Sequence, residues 1–154
     1  MTNGIVNFNA AVISGSMTLP FVRRAIESGV TGPTEDIHVD MGQVSEHHFP
    51  VVGETASVVM FEMRFNNQDA QKVRITFNGI ASDVINGVIG TTNPTVGVQL
   101  RDESGNIVPV NEARDYPLYP GPNVIRFTSS LIATRVPVMA GPLGAIAVFT
   151  LAYM

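Results

Sequence analysis

The side chains best suited to metal binding or acid–base chemistry are three histidines and the carboxylates beside them. His47 and His48 are adjacent and follow Glu46, while His38 lies two residues before Asp40. Adjacent residues on a strand point to opposite faces, so the two neighbouring histidines converge poorly on one ion. We therefore predict no metal site here and expect the histidine pair to lie in a solvated loop.

Patterns typical of catalysis or cofactor binding are also missing from the sequence. No G-x-S-x-G segment precedes a predicted helix, and the glycine-containing segment at residues 87–92 lacks the Lys of a phosphate loop. Zero Cys residues exclude a disulfide, a thiolate metal site and a Cys nucleophile. We predict that the protein is not an enzyme and has no cofactor and no small-molecule substrate.

Charge and length narrow the class of protein further. The net charge is −4, with 9 basic and 13 acidic residues, which gives no electrostatic footprint for nucleic acid. The 154 residues suit one domain. No apolar run approaches the roughly 20 residues that span a bilayer. The first residues do not look like a secretory signal, so we expect either a cytoplasmic protein or one whose leader has been removed.

The elements that position these residues are predicted to be strands, because apolar and polar residues alternate with a period of two. The apolar members of the clearest runs are Val6, Phe8, Ala10 and Val12; Ile37, Val39 and Met41; Phe61, Met63 and Phe65; Val73, Ile75 and Phe77; and Phe149, Leu151 and Tyr153. The 14 Gly and 10 Pro residues separate short strands, which favours an antiparallel β-sandwich. Residues 104–106 (SGN) predict a hairpin turn, and residues 21–28 a short helix.

The first and last runs lie almost at the two ends of the sequence. From alternation alone, residues 6–12 can be an ordinary first strand in their own sheet or a strand offered to another molecule. An unpaired apolar sheet edge would promote aggregation, so both ends need partners.

Taken in order, several segments resemble pilins of chaperone–usher fimbriae, in particular the minor, adaptor-like subunits of type 1-like pili. Residues 6–12 (VNFNAAV) look like that family's donor strand, V-x-F-x-G-x-V. Residues 39–44 (VDMGQV) are similar to its V-D-L-G-Q-V strand, and residues 61–67 (FEMRFNN) to its F-x-I-x-L-x-N strand. The strongest match is residues 133–153, which end in the penultimate Tyr153.

Three positions depart from the family's pattern. Ala10 stands where the donor strand usually has Gly, and Met17 and Gln68 stand where a pair of cysteines is usual. The fold then lacks a crosslink that typically contributes about 2–4 kcal/mol. We expect these departures to affect assembly rather than the fold.

The resemblance implies an all-β, incomplete immunoglobulin-like β-sandwich that a donor strand from another subunit or a chaperone completes. Residues 1–13 would form the donor-strand extension and residues 14–154 the sandwich domain. The donor contacts would be Val6, Phe8, Ala10 and Val12. The acceptor groove would include the C-terminal strand, with Phe149, Leu151 and Tyr153.

The resemblance also implies a function, which is to serve as a structural subunit that polymerises by donor-strand exchange and supports cell adhesion. Its partners would be neighbouring fimbrial subunits, a periplasmic pilus chaperone and an outer-membrane usher. It would be an extracellular protein of the fimbrium that passes through the periplasm. The alternative is a self-contained β-sandwich that binds carbohydrate, but such a module needs exposed aromatic residues, and the chain has no Trp and 3 Tyr.

Overall fold

The computed structural model describes residues 2–14, 24–26, 36–67 and 69–154, and this part of the chain forms eleven strands. They are β1 (Thr2–Ile13), β2 (Arg24–Ile26), β3 (Ile37–Ser45), β4 (Thr55–Asn67), β5 (Lys72–Asn78), β6 (Ile89–Gly90), β7 (Val96–Asp102), β8 (Ile107–Val108), β9 (Ala113–Pro117), β10 (Gly121–Ala133) and β11 (Gly141–Tyr153). A single 3₁₀ turn, Glu46–His48, follows β3. None of the described residues belongs to a helix long and apolar enough to cross a membrane.

The strands form two sheets that pack face to face. The first sheet has the order β3-β1-β11-β5-β9, and the second β2-β4-β10-β7-β6, with β8 paired to β7. Neighbouring strands are antiparallel except for β1 with β3 and β2 with β4, which are parallel. The predicted all-β sandwich is confirmed.

The core lies between the sheets and is built from the apolar members of the alternating runs. Its centre is the ring of Phe61 on β4, which stacks on Phe127 at 5.6 Å and meets Phe77 edge to face at 6.2 Å. Phe77 and Phe127 meet edge to face at 5.1 Å. Aromatic pairs in such arrangements are worth about 0.5–1.5 kcal/mol each beyond the area they bury, so this cluster clamps the two sheets together.

Two local predictions have different outcomes. The turn at residues 104–106 does join an antiparallel pair, since Leu100 of β7 lies opposite Val108 of β8. The short helix predicted at residues 21–28 is wrong where the structure describes it, because residues 24–26 form β2 and pair with β4. Ladder bonds to β4 satisfy the backbone there, which overrides the weak helical pattern. Met17 and Gln68 lie outside the described residues.

Candidate functional site

The first strand lies in the middle of the first sheet, between β3 and the C-terminal strand β11. Against β11 it is antiparallel, with Val6 opposite Ala147 and Phe8 opposite Ala145. Against β3 it is parallel, with Phe8 opposite Val39. In this structure, therefore, the strand predicted to serve a neighbour completes the sheet of its own chain, and its donation to another chain stays a prediction.

The face of β1 singled out in the sequence points into the core. Val6, Phe8 and Val12 are buried, and Ala10 is partly buried and packs against the core cluster. The Phe8 ring lies 6.2 Å from that of Phe61, edge to face, so the strand reaches the central aromatic cluster. The side chains of these four residues form a row that fills the core between β3 and β11.

None of the three groove residues predicted on β11 lies opposite this row. Phe149 and Leu151 are buried, but they lie opposite Gly4 and Thr2, beyond the end of the row. Tyr153 is 49% exposed, pairs with Val73 of β5 and packs edge to face on Phe65, away from β1.

The β11 residues that do face the row were missed by the sequence prediction. They are Leu143, Ala145 and Ala147, which lie opposite Ala10, Phe8 and Val6. All three are buried. Small residues opposite the large ones leave room for them in the core, and the alternation of Ala145 and Ala147 with exposed Ile146 and Val148 is a signal that could have identified this stretch.

The opposite rim of the groove has a β-bulge beside Ala10. Asn9 pairs with Asp40 and Ala11 with Gln43, so β3 carries one extra residue between these pairs. Gly42 adopts φ +73°, which favours glycine, and its N–H donates to Asp40 Oδ1 at 2.9 Å. The D-M-G sequence of β3 thus encodes a local bend where β1 has its smallest core-facing residue.

A buried hydrogen bond fixes this bulge to the second sheet. The Ser57 hydroxyl of β4 donates to the carbonyl oxygen of Met41, which lies within the bulge. Ser57 itself has φ +58° and lies in a second bulge, where β4 has one residue more than β10. Among the described strands β1 is the only ladder partner of β3, and the Ser57 hydrogen bond gives this rim a further attachment, to the second sheet.

Comparison with known proteins identifies the family to which this fold and groove belong. The family model described as "Fimbrial protein" matches residues 28–154. The chain belongs to the fimbrial protein family. The matched range begins after β1 and β2 and includes every strand from β3 onward.

Individual relatives of this fimbrial protein agree with that assignment. It is 28% identical to the S-fimbrial protein subunit SfaG of Escherichia coli, over 78% of this chain and 72% of the relative. It is 25% identical to the long polar fimbria protein A of Salmonella typhimurium, over 93% of this chain and 86% of the relative. The protein is therefore a fimbrial structural subunit, and the carbohydrate-binding module is not favoured.

Solved structures with the same fold come from the same class of protein. A Burkholderia pseudomallei antigen and type I fimbria protein matches with a TM-score of 0.75 and 24% identity, over 99% of both chains. The P pilus rod subunit PapA matches with a TM-score of 0.66 and 20% identity, over 75% of this chain and 91% of that one. The sandwich is therefore the immunoglobulin-like pilin fold.

The histidines of this fimbrial protein have a local structural role. His48 Nδ1 accepts a hydrogen bond from the Ser45 backbone N–H at 3.3 Å, and Ser45 Oγ accepts one from the His47 N–H at 3.1 Å. This reciprocal cap begins the 3₁₀ turn, and the histidine pair lies in this short capped connection between β3 and β4, with His47 exposed and His48 half-buried. Within the described residues no group of three or more His, Asp or Glu could hold a metal ion.

Two carboxylates of the fimbrial protein sit in ion-pair networks outside the groove. Glu62 accepts hydrogen bonds from Arg64 at 2.7 Å and Arg126 at 3.0 Å, and these partners, Arg64 first, lower its pKa. Asp115 accepts from Arg74 at 2.7 Å and Lys72 at 3.3 Å. The Arg74 hydrogen bond is the main cause that lowers the pKa of Asp115 from 3.8 to about 2.

Because the pKa of Asp115 is lowered, we expect the protein to lose a small amount of stability in acid. Its pKa is lower in the folded state, so its contribution is present above pH 4 and is lost as the pH falls toward 2. Exposed ion pairs are worth little, so the change is small. Urea unfolding of the parent and of Asp115→Asn should differ at pH 6 and converge near pH 2. A difference of the same size at both values would contradict this assignment.

Replacing Ala10 by the glycine that the pilin pattern has at this position should lower the free energy of unfolding. Ala10→Gly removes a methyl group that packs against the core and makes the unfolded chain more flexible, so we expect a loss of about 1–2 kcal/mol in unfolding free energy. Ala11→Gly, on the outward face, is the control and should cost less. Equal losses for the two variants in urea unfolding would show that the methyl group makes no useful contact.

Proposed function

We propose that this pilus subunit polymerises by donating β1 to the groove of a neighbouring subunit. The observation that carries the proposal is the core-facing row Val6, Phe8, Ala10 and Val12, with all but Ala10 fully buried, between two strands that do not otherwise pair. Strand addition of this kind takes affinity from main-chain hydrogen bonds and specificity from alternate side chains, and chaperone–pilin complementation is a standard case. Each copy carries both the strand and a groove that fits it, which supports exchange between copies.

In this proposal residues 1–13 are the donor-strand extension and residues 14–154 the acceptor domain. Each subunit gives its strand to one neighbour and receives one from the other, so the contact is heterologous and builds an open filament. A periplasmic chaperone fills the groove before assembly, an outer-membrane usher takes the subunit across, and the finished fibre supports adhesion outside the cell. The subunit has no catalytic role.

Cysteine cross-linking tests the exchange directly, because the chain has no native Cys. Asn7 and Ile146 are opposite each other on the outward face of β1 and β11. Directly opposite residues in an antiparallel pair have Cα atoms about 4.5–5.5 Å apart, within the range of a disulfide. Subunits carrying Asn7→Cys and subunits carrying Ile146→Cys are unfolded, mixed, refolded together and oxidised.

We expect disulfide-linked pairs of the two single variants, identified by mass spectrometry. The matched control replaces Ile146→Cys by Thr150→Cys, on the same strand but out of register with Asn7, which should give few pairs. The double variant Asn7→Cys/Ile146→Cys reports strand closure within one chain. Closure within the chain together with no linkage between chains would contradict the proposal.

A further inference from the structure

The groove has a defined end from which β1 leaves it. Val12 lies opposite Gly141, and Ile13, the last residue of the strand, lies opposite Ser45 of β3. We call this the exit end of the sandwich. If a neighbour donates β1 in this register, its chain continues from Ser14 here, so the body of the donor subunit is tethered at the exit end of the acceptor.

The exit end also carries exposed apolar side chains. Val51, Val52, Val136 and Met139 are between 43% and 55% exposed. Their backbones are anchored at this end: the Gly53 N–H donates to Ala133 O at 2.9 Å, and the Met139 N–H to Thr95 Oγ1 at 3.0 Å. A pocket of about 490 Å³ opens between Phe49–Pro50 and Val136–Val138. It begins next to the 3₁₀ turn that follows Ser45, the residue paired with Ile13.

The equivalence of the two grooves indicates what covers this surface. A strand of β1 makes the same contacts in its own groove as in the identical groove of another copy. A ligand or contact that is equal in two states cannot shift the equilibrium between them. Closure within one chain also has the higher effective concentration. Exchange between copies therefore needs contacts that exist only between two bodies, and the tether places such contacts at the exit end.

We propose that the exit-end surface, Val51, Val52, Val136 and Met139 with the adjoining pocket, binds the body of the subunit that donates β1. The inference rests on the proposed strand exchange and names the contact that favours exchange over closure within one chain. The occupant is a second copy of this chain. The surface has the apolar character expected at the centre of a protein–protein contact.

The test introduces two charges at the exit end of the full chain. Val51→Asp and Val136→Asp are combined with each of the cysteine variants described above. Closure within one chain, measured by the double-cysteine variant, should be unchanged. Linkage between chains, measured at the same protein concentration, should fall about tenfold or more, because a carboxylate must lose its water where the two bodies meet.

A matched control carries Ile107→Asp and Val124→Asp, which also charge exposed apolar residues but lie away from the exit end and from the cysteine pair. These changes should leave both linkages at the level of the parent. Unchanged linkage between chains in the exit-end variant, with the parent linking normally, would overturn the inference while leaving strand exchange intact. Failure of the parent itself to link between chains would overturn the proposed exchange and this inference with it.

Discussion

A subunit without residues 1–13 is expected to lose most of its stability and to recover it when a peptide of residues 2–13 is added. The truncation removes Val6, Phe8 and Val12 from the core, where burial of large apolar side chains is worth about 1.5–3 kcal/mol each, or about 5–9 kcal/mol together. Whole domains have only about 5–15 kcal/mol of unfolding free energy. The truncated chain also loses the only described ladder partner of β3.

Urea unfolding of the truncated chain, with and without the peptide, measures this effect. A peptide that carries Phe8→Asp should give little recovery, because it would bury a carboxylate against Phe61. A peptide that carries Asn9→Ala should work as well as the parent sequence, because Asn9 is exposed. The truncated chain should also be unable to complete a neighbour. A truncated chain as stable as the full one, or one that still donates, would refute the role given to β1.

Phe8→Ala is expected to be the most damaging single alanine substitution in β1. Phe8 is buried and touches the central aromatic cluster through Phe61, and replacing a core Phe by Ala costs about 3–5 kcal/mol. Asn9→Ala, the control on the neighbouring outward position, should change the unfolding free energy by no more than about 0.5 kcal/mol. The measurement is urea unfolding of the full chain.

The same substitution should also reduce cross-linking between chains, since Phe8 enters an equivalent groove in either arrangement. We expect Asn7→Cys subunits that carry Phe8→Ala to link poorly to Ile146→Cys subunits. A Phe8→Ala variant that is as stable as Asn9→Ala and links normally would show that the row on β1 is not what holds the strand in the groove.

The sequence predicts the fold well because the alternation of apolar and polar residues can be recognised without knowing which strands are neighbours. Alternation is enough to identify the strands and to say that Val6, Phe8 and Val12 share one buried face. It does not name the partner of a strand, because a face can be buried against the same chain or another one. For that reason the sequence alone does not decide whether β1 lies in its own sheet.

Register is the other property that local pattern does not determine. The bulge in β3 depends on Gly42, on Asp40 and on a hydrogen bond from Ser57, which lies in a different strand. The residues of β11 that face the row on β1 are Leu143, Ala145 and Ala147. Tyr153 does not face it, because the ladder between β1 and β11 begins at Gly141 and ends at Leu151, which is opposite Thr2. Strand β2 likewise exists through its ladder with β4, against its own weak helical pattern.

The direction in which β1 leaves the groove has a mechanical consequence for a fibre built by exchange. The ladder between β1 and β11 runs from Thr2 opposite Leu151 to Val12 opposite Gly141, and a pull on the donor acts on Ile13 along the axis of the strand. The hydrogen bonds lie across that axis, so tension loads the whole ladder in shear rather than opening it one pair at a time. Forced separation depends on the height of a barrier and not on the equilibrium alone. The force needed to separate two subunits should therefore depend on how fast the fibre is pulled.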